Sequence, residues 1–207
     1  MSGRLATARA WQRMLSGRRL DLLDPSPLDV ELSDIAHGLA RVARWNGQTF
    51  GDHAFSVAQH SLCVEEIFRR QNKCGPEECM LALLHDAPEY VIGDMISPFK
   101  AVVGGGYKTV ERRLEGAVNL RFGLPPVPPE TLKAKIKKAD NTAAYFEATL
   151  LAGFSSEEAK KFFGLPRGIT REMLFLDPVP AHEAQARFQA RFDAIEAERQ
   201  AARTRSA

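Results

Sequence analysis

Between residues 130 and 151, apolar side chains recur at Leu132, Ile136, Ala139, Ala143, Phe146 and Leu150, spaced 4, 3, 4, 3 and 4. Only an α-helix brings residues at these intervals onto one face. A helix of that length with one apolar stripe must bury the stripe against other helices. No alternating apolar and polar run lasts long enough to build a sheet. The expected fold is therefore an all-α helical bundle.

Further helices are expected over 6–15, 34–44, 55–71, 76–86, 107–122, 155–163 and from Pro180 onward. Ser33 suits an N-cap, and Pro76 suits a first helical turn. Gly17 and Asn46-Gly47 are expected to stop helices, and Pro88 to bend one. Residues 20–30, with Pro25 and Pro27, read as an extended loop, and 48–53 as another. Gly104, Gly105 and Gly106 read as a flexible loop, and Pro125 to Pro129 as a stiff connector. The whole chain, 1–207, is expected to form a single domain with its core over 20–175. A basic N-terminal helix is expected over 1–19, and a C-terminal helix with a frayed polar tail over 178–207. The apolar stripe Ala181, Ala184, Phe188, Phe192 and Ile195 could pack on its own subunit or on a partner.

The charge balance limits the partners. Lys plus Arg number 28 and Asp plus Glu number 26, a net charge of +2. That argues against a dedicated nucleic-acid binder. The basic N-terminus keeps that reading open, with steep salt dependence as its mark. No apolar run reaches the roughly 18 residues of a membrane span. Cys63, Cys74 and Cys79 include no Cys-x-x-Cys pair. Reduced thiols and a cytoplasmic location are the expectation. The Arg-rich, acid-free first 20 residues resemble a transit peptide, but they run straight into a structured-looking stretch, which favours a basic helix.

The chemistry lies in polar groups placed where core residues belong. His60 falls in the stripe Val57, His60, Val64, Ile67. His85-Asp86 ends Met80-Leu81-Ala82-Leu83-Leu84, which is apolar all round. Asp140 edges the long stripe. A carboxylate there is costly unless paired or bound to a cation. Each residue has an ordinary alternative: a hydrogen-bonded core histidine, or Asp140 paired with Lys137 or Lys138. Together they suit one divalent ion with positions left open, the catalytic arrangement. Residues 104–109 are not a phosphate loop, because Tyr107 stands where glycine is needed. Lys133, Lys135, Lys137 and Lys138 form a basic cluster that could be a solvated face or attract an anion.

Leu83-Leu84-His85-Asp86-Ala87-Pro88-Glu89, continuing through Gly93-Asp94 and Ser97-Pro98, resembles the signature of the HD-domain metal-dependent phosphohydrolases. Ser56-Val57-Ala58-Gln59-His60-Ser61-Leu62 is similar to that family's upstream histidine helix, and Lys138-Ala139-Asp140 to its closing aspartate. The resemblance covers roughly residues 20 to 150 and points most closely to the small 5′-deoxynucleotidase-like group. It implies an HD-domain bundle with a mononuclear site in its core. His60, His85, Asp86 and Asp140 would be the metal ligands, holding Co, Mn, Mg, Zn, Fe or Ni. Glu89 would be the catalytic carboxylate, with Asp94 a second acid near the sugar or the metal waters. Arg44-Trp45 would contact phosphate and sugar, and Ser97 and Lys100 would border the substrate. The ordinary alternatives are a surface acid for Glu89, a turn former for Asp94, an exposed arginine beside a core aromatic for Arg44-Trp45, and a solvated Lys100. The implied activity is hydrolysis of deoxynucleoside monophosphates to nucleoside and phosphate. Alternatives are hydrolysis of deoxynucleoside triphosphates or signalling nucleotides, or a non-catalytic metal- and nucleotide-binding regulator. The implied partner is a small nucleotide, and a homodimer is compatible with the group.

Overall fold

The structure, a computed structural model, describes residues 9–96, 102 and 105–206. It is mostly helical, and among the described residues no helix is long and apolar enough to cross a membrane.

The first element departs from the expected helix. Strand β1 (Trp11–Arg13) pairs antiparallel with β2 (Arg19–Asp21), in the register Trp11↔Asp21, Gln12↔Leu20 and Arg13↔Arg19. Residues 1–8 of the expected helix lie outside the described residues. A segment this short gains little from helix formation alone. Tertiary bonds decide instead. The Ser16 amide and hydroxyl both donate to Asp34, at 3.0 and 2.5 Å, and Gly17 turns the chain at φ 88°. Leu20 is then fully buried. The following stretch is irregular apart from a 3₁₀ turn at Pro27–Asp29, capped by Ser26.

Helix α1 (Leu32–Leu39) ends earlier than its sequence spacing predicts. Ala43 is extended instead and bridges Ser56, just before a 3₁₀ turn over Arg44–Gly47. The Arg44 amide donates to Phe55 O at 2.8 Å, and the Val57 amide to Val42 O at 2.9 Å. This short ladder carries Arg44 to the start of α2 (Val57–Gln71), which is N-capped by the Ser56 hydroxyl. Helix α3 (Pro76–Leu83) starts after Gly75 and is buried from Cys79 to Leu83, as its all-round apolar run requires. The chain then turns through His85 and Asp86. After Pro88, the short α4 (Glu89–Ile92) begins, so the expected bend is present.

Helix α5 (Gly105–Arg121) includes Gly105 and Gly106, expected as loop, while Gly104 lies outside the described residues. Helix α6 (Glu130–Leu150) follows the Pro-rich connector, and α7 (Ser156–Phe163) is capped by Ser155. Helix α8 (Ala181–Ser206) carries the polar tail as continuous helix rather than frayed coil.

Helices α2 and α3 form the centre. Helix α6 packs on α2, and α8 packs on α1, α2 and α3. The stripe Ala184, Phe188, Phe192 and Ile195 is thus buried by its own chain. Helix α1 also holds α4, and their closest approach is at Gly38. A Cβ there would lie 2.8 Å from both Cβ and O of Tyr90. Gly38→Ala is therefore expected to destabilise the fold by about 1–3 kcal/mol, because backbone must move to admit one methyl. Urea unfolding measures this, and wild-type stability in the variant would show that α1 and α4 are not held so closely.

Candidate metal centre

Helix α2 places His60 at the heart of the core with no exposed surface. Its Nδ1–H donates to Glu147 Oε1 on α6, at 2.5 Å. His85, just past α3, donates Nδ1–H to the Ala82 carbonyl at 2.9 Å. Both rings therefore have Nδ1 engaged and turn Nε2 towards one another, with ring centroids 5.3 Å apart. Neither Nε2 has a hydrogen-bond partner, although both are buried. Asp86 Oδ2 lies 3.5 Å from His60 Nε2 and 3.2 Å from His85 Nε2. Asp140 Oδ1, from α6, lies 3.3 Å from His60 Nε2.

Buried polar atoms without partners are rare in folded proteins. Here two of them converge beside two carboxylates. An imidazole whose other nitrogen donates to a carboxylate or carbonyl is also the usual form of a metal ligand. One ligand atom from each of His60, His85 and Asp86 lies within 4.8 Å of the others, so these three could hold a metal ion. Asp140 stands beside them, with its other oxygen accepting from Lys137 Nζ at 2.6 Å.

The electrostatics agree with a cation site. Burial opposes the charge of Asp86, but His85 and His60 hold its carboxyl well below the usual range. The same opposition of burial and imidazoles lowers Asp140. Burial and Arg44 press His60 towards its neutral form, and Glu147 and Asp140 more than reverse this, raising it to about 10.

Glu147 was not among the residues singled out from sequence. It has no exposed surface and three side-chain donors. Besides His60, Arg44 Nε donates to its Oε2 at 3.2 Å and Trp45 Nε1 donates to the same atom at 3.0 Å. Burial would raise its pKa, but His60 and Arg44 pull it down to about 2. Arg44 also donates to Asp94 Oδ2 at 2.9 Å. Arg44 and Asp94 are thus joined to the histidine cluster, and Arg44 is not the exposed arginine of the ordinary alternative. Trp45 packs against Phe154 and Phe163, with centroids 5.5 and 5.9 Å away. Trp45 and Asn46 both hold left-handed backbone, at φ 56° and 51°. Such a conformation costs an L-residue roughly 1–2 kcal/mol. The bonds to Glu147 and the aromatic packing hold the turn in place.

Glu89 is 3% exposed in the first turn of α4, so it is not a surface acid. Tyr107 on α5 faces the same acids. Burial pushes its hydroxyl up first, and Glu111, Glu89, Asp86 and Asp94 add to the shift. A cavity of about 270 Å³ opens beside His85, Asp86 and Asp140, with Lys133 and Lys137 on its wall. Two of the four clustered lysines therefore border the site. Ser97 and Lys100 lie outside the described residues.

The fold and site together define a mostly helical protein with a His/His/Asp group, His60 buried and His85 and Asp86 half-buried, that could hold a metal. The chain is 58% identical over 184 residues to the uncharacterized protein RCAP_rcc00048 of Rhodobacter capsulatus, covering 88% of this chain and 94% of that protein. It belongs to the same family as that protein. It is also 31% identical over 113 residues to the uncharacterized protein YfdR of Escherichia coli, covering 54% of this chain and 56% of YfdR. No protein-family profile matches the chain.

Proposed function

We propose that the chain is a metal-dependent phosphohydrolase of the HD-domain type, acting on 5′-phosphate esters of deoxynucleosides. The observation that carries this reading is the pair of buried Nε2 atoms of His60 and His85, which make no hydrogen bond and face Asp86 and Asp140. A divalent ion held there would acidify a bound water and neutralise charge on the phosphoryl group.

The remaining roles fall to side chains around that centre. Glu89 follows Asp86 by three residues and is buried, so it can hold the proton that the attacking water gives up. Arg44 offers a guanidinium held by Glu147 and Asp94, which suits a dianionic phosphate. Lys133 and Lys137 draw an anion towards the cavity. Trp45 would border the sugar with an apolar ring, leaving a 2′-hydroxyl without a partner.

The test is phosphate release from deoxy- and ribonucleoside mono- and triphosphates with Co²⁺, Mn²⁺, Mg²⁺ or Zn²⁺. Release confined to deoxynucleoside monophosphates is expected. Glu89→Gln should cut turnover by about 10²–10⁴-fold, the usual worth of a general base, while still binding metal. Triphosphate release would move the substrate to the alternative class. Stoichiometric metal binding with no turnover on any substrate would overturn the enzymatic reading.

A further inference from the structure

The three cysteines are free, and two of them meet. Cys74 Sγ lies 3.1 Å from Cys79 Sγ. The cause is local. Gly75 caps α3, Pro76 opens it, and the Glu78 carboxylate accepts the Gly75 amide at 3.0 Å. Cys74 is then the residue before the cap and Cys79 the fourth helical residue. Those two positions touch across the start of a helix, where two apolar side chains commonly pack together. Packing alone accounts for the contact, but here the two groups are thiols. A disulfide needs the sulfurs at about 2.05 Å, so closing the bond takes a movement of about 1 Å. The capped turn already holds the two side chains together, so little entropy of loop closure opposes the bond.

The two thiols differ in access. Cys74 is half-buried, whereas Cys79 has no exposed surface. Cys63 lies apart in the core, and its thiol donates to Phe175 O at 3.4 Å. This asymmetry orders the chemistry, because an oxidant reaches the accessible sulfur first.

We propose that Cys74 and Cys79 form a site of reversible oxidation, closed to an intrachain disulfide by a hydroperoxide. In the first step, Cys74 Sγ attacks the peroxide. Its O–O bond breaks, an S–O bond forms, and the other oxygen takes up the Cys74 thiol proton and leaves as water or an alcohol. In the second step, Cys79 Sγ attacks the Cys74 sulfenic acid. The S–S bond forms, the S–O bond breaks, and hydroxide leaves with the Cys79 proton as water. The two thiols together lose two electrons, and the peroxide gains them. A dithiol reverses the change by exchange. The product ties the segment joining α2 and α3 to the first turn of α3.

The experiment treats the full reduced chain with hydrogen peroxide, alkylates the remaining thiols in denaturant, and maps peptides by mass. The expected product has lost two hydrogens, carries one Cys74–Cys79 crosslink, has Cys63 fully alkylated, and returns to the starting mass with dithiothreitol. Cys63→Ser should give the same crosslink. Cys79→Ser should lose it and accumulate Cys74 sulfenic acid that a 1,3-dione traps. Cys74→Ser, at the half-buried position, tests the same loss if Cys79→Ser does not fold. Sulfinic acid on Cys74 with Cys79 still free, a crosslink through Cys63, or crosslinks only between chains would each overturn the proposal. So would full alkylation of all three thiols at a peroxide dose that oxidises a free thiol. The outcome is independent of whether the chain hydrolyses phosphate.

Discussion

Asp86→Ala is expected to remove metal binding and phosphate release together while leaving the metal-free fold intact. In the metal-free site, Asp86 and Asp140 are two half-buried carboxylates beside the same imidazole of His60, and each opposes the other's charge. Removing one relieves that repulsion while it loses the contacts to His60 and His85. The imidazoles outweigh that repulsion, so the metal-free variant should lose about 1–3 kcal/mol of unfolding free energy and still fold. The effect of metal is different. A ligand that binds only the folded state stabilises it by about 2.7 kcal/mol at a hundred times its Kd. That gain needs the ligand set, and Asp86 supplies one of its three closest atoms. The variant should therefore show no rise in Tm with Mn²⁺ or Co²⁺ at concentrations that raise the wild-type Tm. Turnover should fall by more than the roughly 10²–10³-fold that loss of one transition-state donor costs, because the water and the phosphoryl group lose their shared partner. A wild-type Tm rise in Asp86→Ala would place the metal elsewhere. A normal Tm rise in the wild type without phosphate release would separate the site from the proposed reaction.

The helices and the histidine–aspartate cluster were legible because each rests on local spacing. The run 80–84 is apolar all round and is buried all round. His60 interrupts an apolar stripe and is buried with that stripe. What sequence spacing missed depends on bonds between distant residues. The Arg-rich segment near Trp11 has helical spacing, but Asp34, far along the chain, holds Ser16 in a turn. Arg44 was expected to close a helix, yet Phe55 takes its amide and places it beside α2. Asparagine takes left-handed backbone readily, as Asn46 does, but nothing local announces it at Trp45. The long stripe on α6 also misled at its end. It points to Phe146 and Leu150, but Leu150 is 38% exposed, and the buried face turns to Ala143, Glu147 and Ala148. A carboxylate ordinarily marks the solvent side of a helix, so Glu147 does not stand out in the sequence. Its signal was its position seven residues after Asp140, two turns along the same face.

Glu147 is accordingly the residue whose substitution should do most to the fold. Its two oxygens accept from His60 on one side and from Arg44 and Trp45 on the other. Glu147→Ala leaves a buried imidazole without its carboxylate and a buried guanidinium with Asp94 alone. Removing one partner of such a group costs about 3–5 kcal/mol, enough to threaten folding. Glu147→Gln keeps the shape and separates packing from charge. A glutamine has one acceptor oxygen, where glutamate has two. If that oxygen faces His60, the amide NH₂ meets the donors of Arg44 and Trp45. If it faces Arg44 and Trp45, the NH₂ donates to His60 Nδ1 and drives the ring proton to Nε2, the atom a metal needs. The first orientation sets donor against donor, at about 1–3 kcal/mol. The second satisfies these groups but puts a proton on the nitrogen that faces the site. Metal affinity should therefore fall by about 10–100-fold, as it does when the partner of a metal-bound histidine is lost. Calorimetric titration of Mn²⁺ into Glu147→Gln measures this, and nitrogen chemical shifts of the His60 ring read the tautomer directly. Unchanged affinity with the proton still on Nδ1 would reduce Glu147 to a structural anchor for Arg44 and Trp45. Weaker affinity with the proton moved to Nε2 would show that a carboxylate two turns beyond Asp140 sets which nitrogen of His60 faces the metal.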